Sequence, residues 1–232
     1  MTAAKFIGFI LVLASALPAG GQALDLPETM RPPRERPQAP EPAIAPAPGA
    51  ALPEAEAACR QNLRRLGVVF TESAPIDGPH DCAAPHPVAV SQLPGGVTLR
   101  PEAVLTCAMA EASARFVRDH AAPVAMREFG APLVTVEQAS SFVCRTRRGT
   151  QKPSEHAFAN ALDWSALELG DGTRVEIRAH DEAAAPRAFR LVSALHEAAC
   201  GPFSTVLGPG SDADHADHFH FDMAKRRTPF CQ

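Results

Sequence analysis

Two periods of apolar residues organise the chain beyond residue 100. In His218-Phe219-His220-Phe221 the alternation is two, so an extended segment turns both histidines to one face and both phenylalanines to the core. Residues 188–199 are apolar at helical spacing and stop before Gly201, which predicts a helix. Short apolar and β-branched runs predict strands at 133–137, 141–145, 160–167 and 174–179, the last two joined across Gly170-Asp171-Gly172. Further strands are expected at 204–207 and 218–223. A helix is expected to open near Pro101 and carry Val104, Leu105, Met109 and Phe116 inward, with a shorter one over 124–129 ended by Gly130. Helices interleaved with hairpin-joined strands predict a single α+β domain with an antiparallel sheet and flanking helices. No internal repeat is visible.

Polar residues interrupt this pattern at two places: Ser154-Glu155-His156 running to Asp163, and His215-Ala216-Asp217-His218-Phe219-His220. His156 and Asp163 are seven positions apart, about 10 Å of rise on a straight helix and on opposite faces of a straight strand. They can share a ligand only if the chain turns between them, with His156 on a loop and Asp163 on the strand Ala161-Leu162-Asp163-Trp164. Such His and Asp donors are what a catalytic zinc ion requires, with a fourth position left to water. A lone histidine in an apolar setting is ordinarily a core or surface residue. Three within six positions, together with a second His-plus-Asp motif, point instead to a site. His196-Glu197 lacks the second histidine one helical turn on, because position 200 is cysteine. His80, His86, His120 and His180 have no partner at useful spacing and suit surface roles. No G-x-S-x-G elbow and no phosphate-binding glycine loop is present.

Composition places this chemistry outside the cytoplasm. Lys5, an apolar run from Phe6 to Leu17 and the small residues Gly21-Gln22-Ala23 form the pattern of a secretory signal peptide over 1–23. Its apolar run is short for a membrane span, and no other segment approaches that length, so no membrane span is expected after cleavage. Residues 24–57 are rich in proline and alanine, carry charges of both signs and have no amphipathic period; they are expected to be an extended linker before a domain at 58–232. All six cysteines lie in that domain, which predicts three disulfides. Six cysteines allow 15 pairings; the expected set is Cys59–Cys82, Cys107–Cys144 and Cys200–Cys231. A net charge of −4 without a basic stripe argues against nucleic acid as partner.

The order Ser154, His156, Ala159, Ala161, Asp163, followed downstream by Asp217-His218-Phe219-His220, resembles the LAS zinc peptidases: D-Ala-D-Ala carboxypeptidases and dipeptidases, peptidoglycan endopeptidases and the hedgehog-type domains. Cys144-Arg145-Thr146-Arg147 through Asn160-Ala161-Leu162-Asp163 is most similar to the bacterial extensin-like C-terminal domain, over about residues 58–231. The resemblance implies Zn2+ on His156, Asp163 and His220 and a periplasmic or secreted peptidase acting on peptidoglycan peptides. Ala159 stands where relatives carry glycine, which implies that this position does not need positive φ. Asp217 stands where many relatives carry glutamate, and His215 and His218 match a His-x-x-His-x-His variant, so the general base is Asp217, His215 or His218. Arg145 or Arg147 would bind a substrate carboxylate or stabilise the oxyanion, and Ser154 and Asn160 would contact substrate. Two other classes stand beside the enzyme: a non-catalytic, zinc-containing wall-binding module, and an envelope protein whose operative part is the proline-rich segment.

Overall fold

The computed structural model describes residues 52–79 and 81–232. The expected signal peptide 1–23, most of the expected linker and His80 lie outside the described residues. Helix α1 (Glu54–Arg65) follows Pro53 directly, with Glu54 and Glu56 in its first turn and Arg64 and Arg65 in its last, the order its dipole favours. It therefore begins inside the stretch 24–57 expected to be linker. Its buried Leu63 and Arg60 hold it to the domain, Arg60 through Glu72 and the His86 carbonyl while Glu56 of the same helix steadies its guanidinium.

Next come strands β1 (Val69–Glu72), β2 (Ile76–Asp77), β3 (Ala83–Ala84), β4 (Pro87–Leu93) and β5 (Val97–Thr106). Helix α2 (Cys107–Phe116) continues through a π-turn at Val117–Ala121 into α3 (Ala122–Phe129), which ends at left-handed Gly130. The rest is β6 (Leu133–Ser140), a single helical turn at Glu155–Phe158, β7 (Ala161–Leu169), β8 (Arg174–Glu176), α4 (Pro186–Ala199), β9 (Thr205–Leu207), β10 (Phe219–Asp222) and β11 (Phe230–Cys231). The main sheet runs β1-β4-β5-β6-β7-β10-β9-β11, with β8 also on β7. The α+β class is as expected. Most pairings are antiparallel, but β5 and β6 run parallel because α2 and α3 cross over between them, and β11 runs parallel to β9.

Two expected elements differ. No helix opens near Pro101: β5 continues to Thr106, whose hydroxyl accepts from the Met109 N–H (3.2 Å) and so caps α2. Ala103 and Leu105 are buried at period two opposite Val90 and Val88, and Pro101 falls in the register break after Thr98, where no ladder hydrogen bond is demanded. Nor do residues 141–145 form a strand. Their polar groups are used elsewhere: the Ser141 hydroxyl accepts from Val104 N–H, the Ser141 carbonyl accepts from His156, and Cys144 is tied to Cys82.

Between sheet and helices lies an aromatic cluster of Phe116, Trp164, Phe203 and Phe221, with the Phe203 and Phe221 rings stacked at 4.5 Å. Among the described residues no helix is long and apolar enough to cross a membrane. The disulfides are Cys59–Cys107, Cys82–Cys144 and Cys200–Cys231. The expected Cys59–Cys82 and Cys107–Cys144 are thus corrected. Packing of α1 on α2 sets Cys59 beside Cys107, and the β2–β3 hairpin sets Cys82 against the loop after β6.

The bridges close loops of 48, 62 and 31 residues, each worth about 4 kcal/mol in the chain-entropy account. Reduction should therefore lower the melting temperature far more than chelation does. Thermal unfolding with reductant and with EDTA, run in parallel, checks this. A protein that EDTA unfolds while reductant leaves it intact would show the reverse hierarchy.

Candidate metal centre

The site begins with strand register. On the antiparallel β7–β10 ladder Asp163 lies directly opposite His220, while Trp164 faces Phe219 and Leu162 faces Phe221. Because successive side chains alternate, the ladder sends an aromatic set into the core and the Asp–His pair to the other face. The expected period of two is present. His156 arrives from outside the sheet on the turn Glu155–Phe158, which ends at Ala159 in the left-handed region (φ 52°, ψ 27°).

The expectation that residue 159 avoids positive φ is thereby corrected, and magnitudes explain why alanine is accepted. The left-handed conformation costs an L-residue roughly 1–2 kcal/mol. Against this, alanine buries a methyl worth about 0.8 kcal/mol and is less free than glycine in the unfolded chain by about 0.5–1 kcal/mol. The terms nearly cancel.

His156 Nε2 lies 3.2 Å from Asp163 Oδ1 and 3.2 Å from His220 Nδ1, and His220 Nδ1 lies 2.8 Å from Asp163 Oδ1. All three residues are buried. The outer nitrogens are engaged: His156 Nδ1–H donates to the Ser141 carbonyl (2.6 Å) and His220 Nε2–H to Asp222 (3.2 Å). A carbonyl can only accept, so His156 keeps its Nε2 lone pair for the centre; Asp222 does the same for Nδ1 of His220. Burial opposes the charge on Asp163, but hydrogen bonds with His156 and His220 outweigh it and hold the carboxyl well below the usual range. Burial likewise works against a cationic His220, yet Asp163 and Asp222 on either side push its pKa up to about 9. The trio is thus built to hold positive charge.

Donors about 2.0–2.2 Å from a tetrahedral zinc stand roughly 3.3–3.6 Å from one another. The trio's spacing and its mixed N/O donors fit that ion with little movement.

A cleft of about 310 Å³ opens beside the trio. Of the other candidates, His218 is half-buried on its wall, its Nε2 4.0 Å from Asp163 Oδ2 and its Nδ1 2.9 Å from Asp217. Asp217 lies just before β10, but its side chain is 87% exposed and meets His218 rather than the trio. His215 also lines the cleft, with its Nδ1 2.7 Å from Asp212. Arg145 and Ser154 also line the cleft. Arg147 is committed to Glu155 (3.1 Å) and the Pro153 carbonyl (3.2 Å). Asn160 does not line this cleft but an adjoining hollow; its amide donates to Glu155 (2.8 Å) and its oxygen accepts from the Thr106 hydroxyl (3.3 Å), so it also braces the His156 turn. His180 and His196 donate to the carbonyls of Glu176 and Gln232, away from the trio.

Asp222 was missed by sequence reasoning, although the signal was present. The period that places His220 on the site face places Asp222 there too. The Ser141 carbonyl carried no such signal.

Fold and site together define a disulfide-bonded α+β domain with a buried His-Asp-His centre built from a strand pair and the turn before β7. The model of the extensin-like protein C-terminus family matches residues 57–232, and the chain belongs to that family. Comparison with curated proteins and with solved structures returned no match.

Two outcomes follow. Ala159→Gly should change stability by less than about 1 kcal/mol, whereas Ala159→Val, β-branched at positive φ, should cost well over that; chemical denaturation distinguishes them. The second concerns pH. Because His220 in the folded protein titrates above its ordinary 6.5, the stability it contributes is complete below about pH 6.5 and is lost as pH rises through about 9. The chelated protein should melt at progressively lower temperature across that window and His220→Asn should remove the slope; an identical slope in the mutant would exclude His220 as its source.

Proposed function

We propose that this domain is an exported zinc-dependent peptidase, related to the LAS peptidases, that hydrolyses peptide bonds of peptidoglycan stem peptides or cross-links. The observation that carries the reading is the inward aim of His156 Nε2, Asp163 and His220 Nδ1, at separations suited to one zinc, beside an open cleft. The three disulfides suit a periplasmic or secreted location. Zinc held there would polarise the scissile carbonyl and lower the pKa of its water towards about 7.

The chain's own residues supply the rest. His218 is the favoured base, because Asp217 accepts from its Nδ1–H and leaves Nε2 as a proton acceptor on the cleft wall. It takes the proton of the attacking water and returns it to the leaving amine. Asp217 acts through His218 by fixing its tautomer. Arg145 faces the cleft and would receive a substrate carboxylate, while Arg147 stiffens the loop through Glu155.

A wall-binding module with the same centre but no turnover is the competing reading, favoured by the solvent exposure of Asp217. Digestion of purified muropeptides by the zinc-loaded protein separates the two. His218→Ala should retain zinc and lose about 10²–10⁴-fold in kcat. Asp217→Asn should lose less, about 10–100-fold, and His156→Ala should lose the metal. Full activity in His218→Ala with loss in His215→Ala would move the base to His215. Zinc binding and muropeptide binding without any cleavage by the wild type would favour the binding module.

A further inference from the structure

The cleft does not stop at the trio. Arg147, Glu155 and Arg226 line both it and a neighbouring hollow of about 720 Å³ that includes Ala108, Phe158 and Met223. The two hollows adjoin at these shared residues, a charged neck, and taken together as one groove they would hold more than a single amino-acid residue.

The charges at the neck are not equivalent. Arg147 is paired with Glu155, whose other oxygen accepts from Asn160. Arg148, on the cleft wall, is paired with Asp214 at 2.5 Å. Arg226 has no carboxylate partner among the described residues. Instead its Nε–H donates to Oγ1 of the buried Thr205 (2.9 Å), and its guanidinium lies 5.5 Å from the Phe230 ring centroid. One edge of the guanidinium is tied and one face is covered, which leaves the terminal nitrogens to a ligand and much of the side-chain entropy already spent. Thr205 stands directly opposite Asp222 on the β9–β10 ladder, and Asp222 accepts from His220, so the placement of Arg226 is referenced to the trio itself.

Resting on the peptidase reading above, we propose that Arg226 is a specificity-determining residue that binds a carboxylate of an extended acidic peptide lying along this groove. The preferred ligand continues past the trio instead of ending at it. Arg226 forms an ion pair with that carboxylate and changes no bond.

The test is equilibrium binding to the full-length, zinc-loaded chain carrying His218→Ala, so that turnover does not interfere. The probes are a synthetic pentapeptide with a free side-chain carboxylate upstream of two alanines and its isosteric amide analogue. The acid should bind about 10- to 100-fold more tightly than the amide, the size of one charge-assisted hydrogen-bonded pair. Adding Arg226→Gln should erase that preference while affinity for the amide, zinc content and melting temperature stay unchanged. Arg226→Lys should restore part of it, since charge remains but the planar fork does not. A preference that survives Arg226→Gln, an equal weakening of both peptides, or no binding of either would overturn the proposal. Failure of the peptidase reading shows separately, as absence of cleavage by the wild type with the Arg226-dependent preference intact.

Discussion

Everything at the centre depends on the pairing of β7 with β10. A slip of β10 by one residue would exchange its faces, putting His220 in the core, away from Asp163, and Phe219 and Phe221 on the cleft side. What prevents it is the opposite face: Trp164 and Phe221 are locked against Phe116 and Phe203. The chemistry on one side of the sheet is thus held in register by aromatic burial on the other. Gly208 belongs to the same arrangement, since a Cβ there would stand 2.7 Å from the Phe219 ring.

Each centre residue reaches the site under a different constraint. Asp163 and His220 are carried by the sheet and need nothing but register. His156 comes from a single turn, which could not hold a histidine in place by itself. It is braced by the Ser141 carbonyl on its outer nitrogen, by Glu155 between Arg147 and Asn160, and by Ala159, whose carbonyl accepts from Thr106 N–H at 2.7 Å. Cys82–Cys144 anchors the loop that presents both that carbonyl and Arg145. The disulfide therefore bears on the site as well as on stability.

Charge at the centre is balanced by pairs. Asp163 and Asp222 flank His220 and favour a cation between them, whether a proton on the imidazole or a metal on its Nδ1. Outside that shell the cleft turns positive at Arg145 and Arg226. An acidic inner shell thus lies within a partly basic rim, an arrangement that would suit a cation at the centre and an anionic group at the rim.

The strands around Asp163 and His220, helices α3 and α4 and the Cys200–Cys231 bridge were legible in the chain, because alternation, helical spacing and terminal glycines are local properties. The three centre residues were legible through their motifs, and Asp222 could have been, through the same strand period. The strand through Pro101 was not, because its partner β4 decides it and a proline at a register break looks like a helix start. The other two bridges depend on which elements pack together, which spacing does not encode. Positive φ at Ala159, the carbonyl behind His156 and the turning of Asp217 towards His218 are consequences of three-dimensional placement. Sequence by itself determined which residues can serve as ligands; tertiary structure decided which atoms of those residues face one another, because the lone pair of His156 is directed by a backbone carbonyl, Ser141, that no side-chain pattern marks.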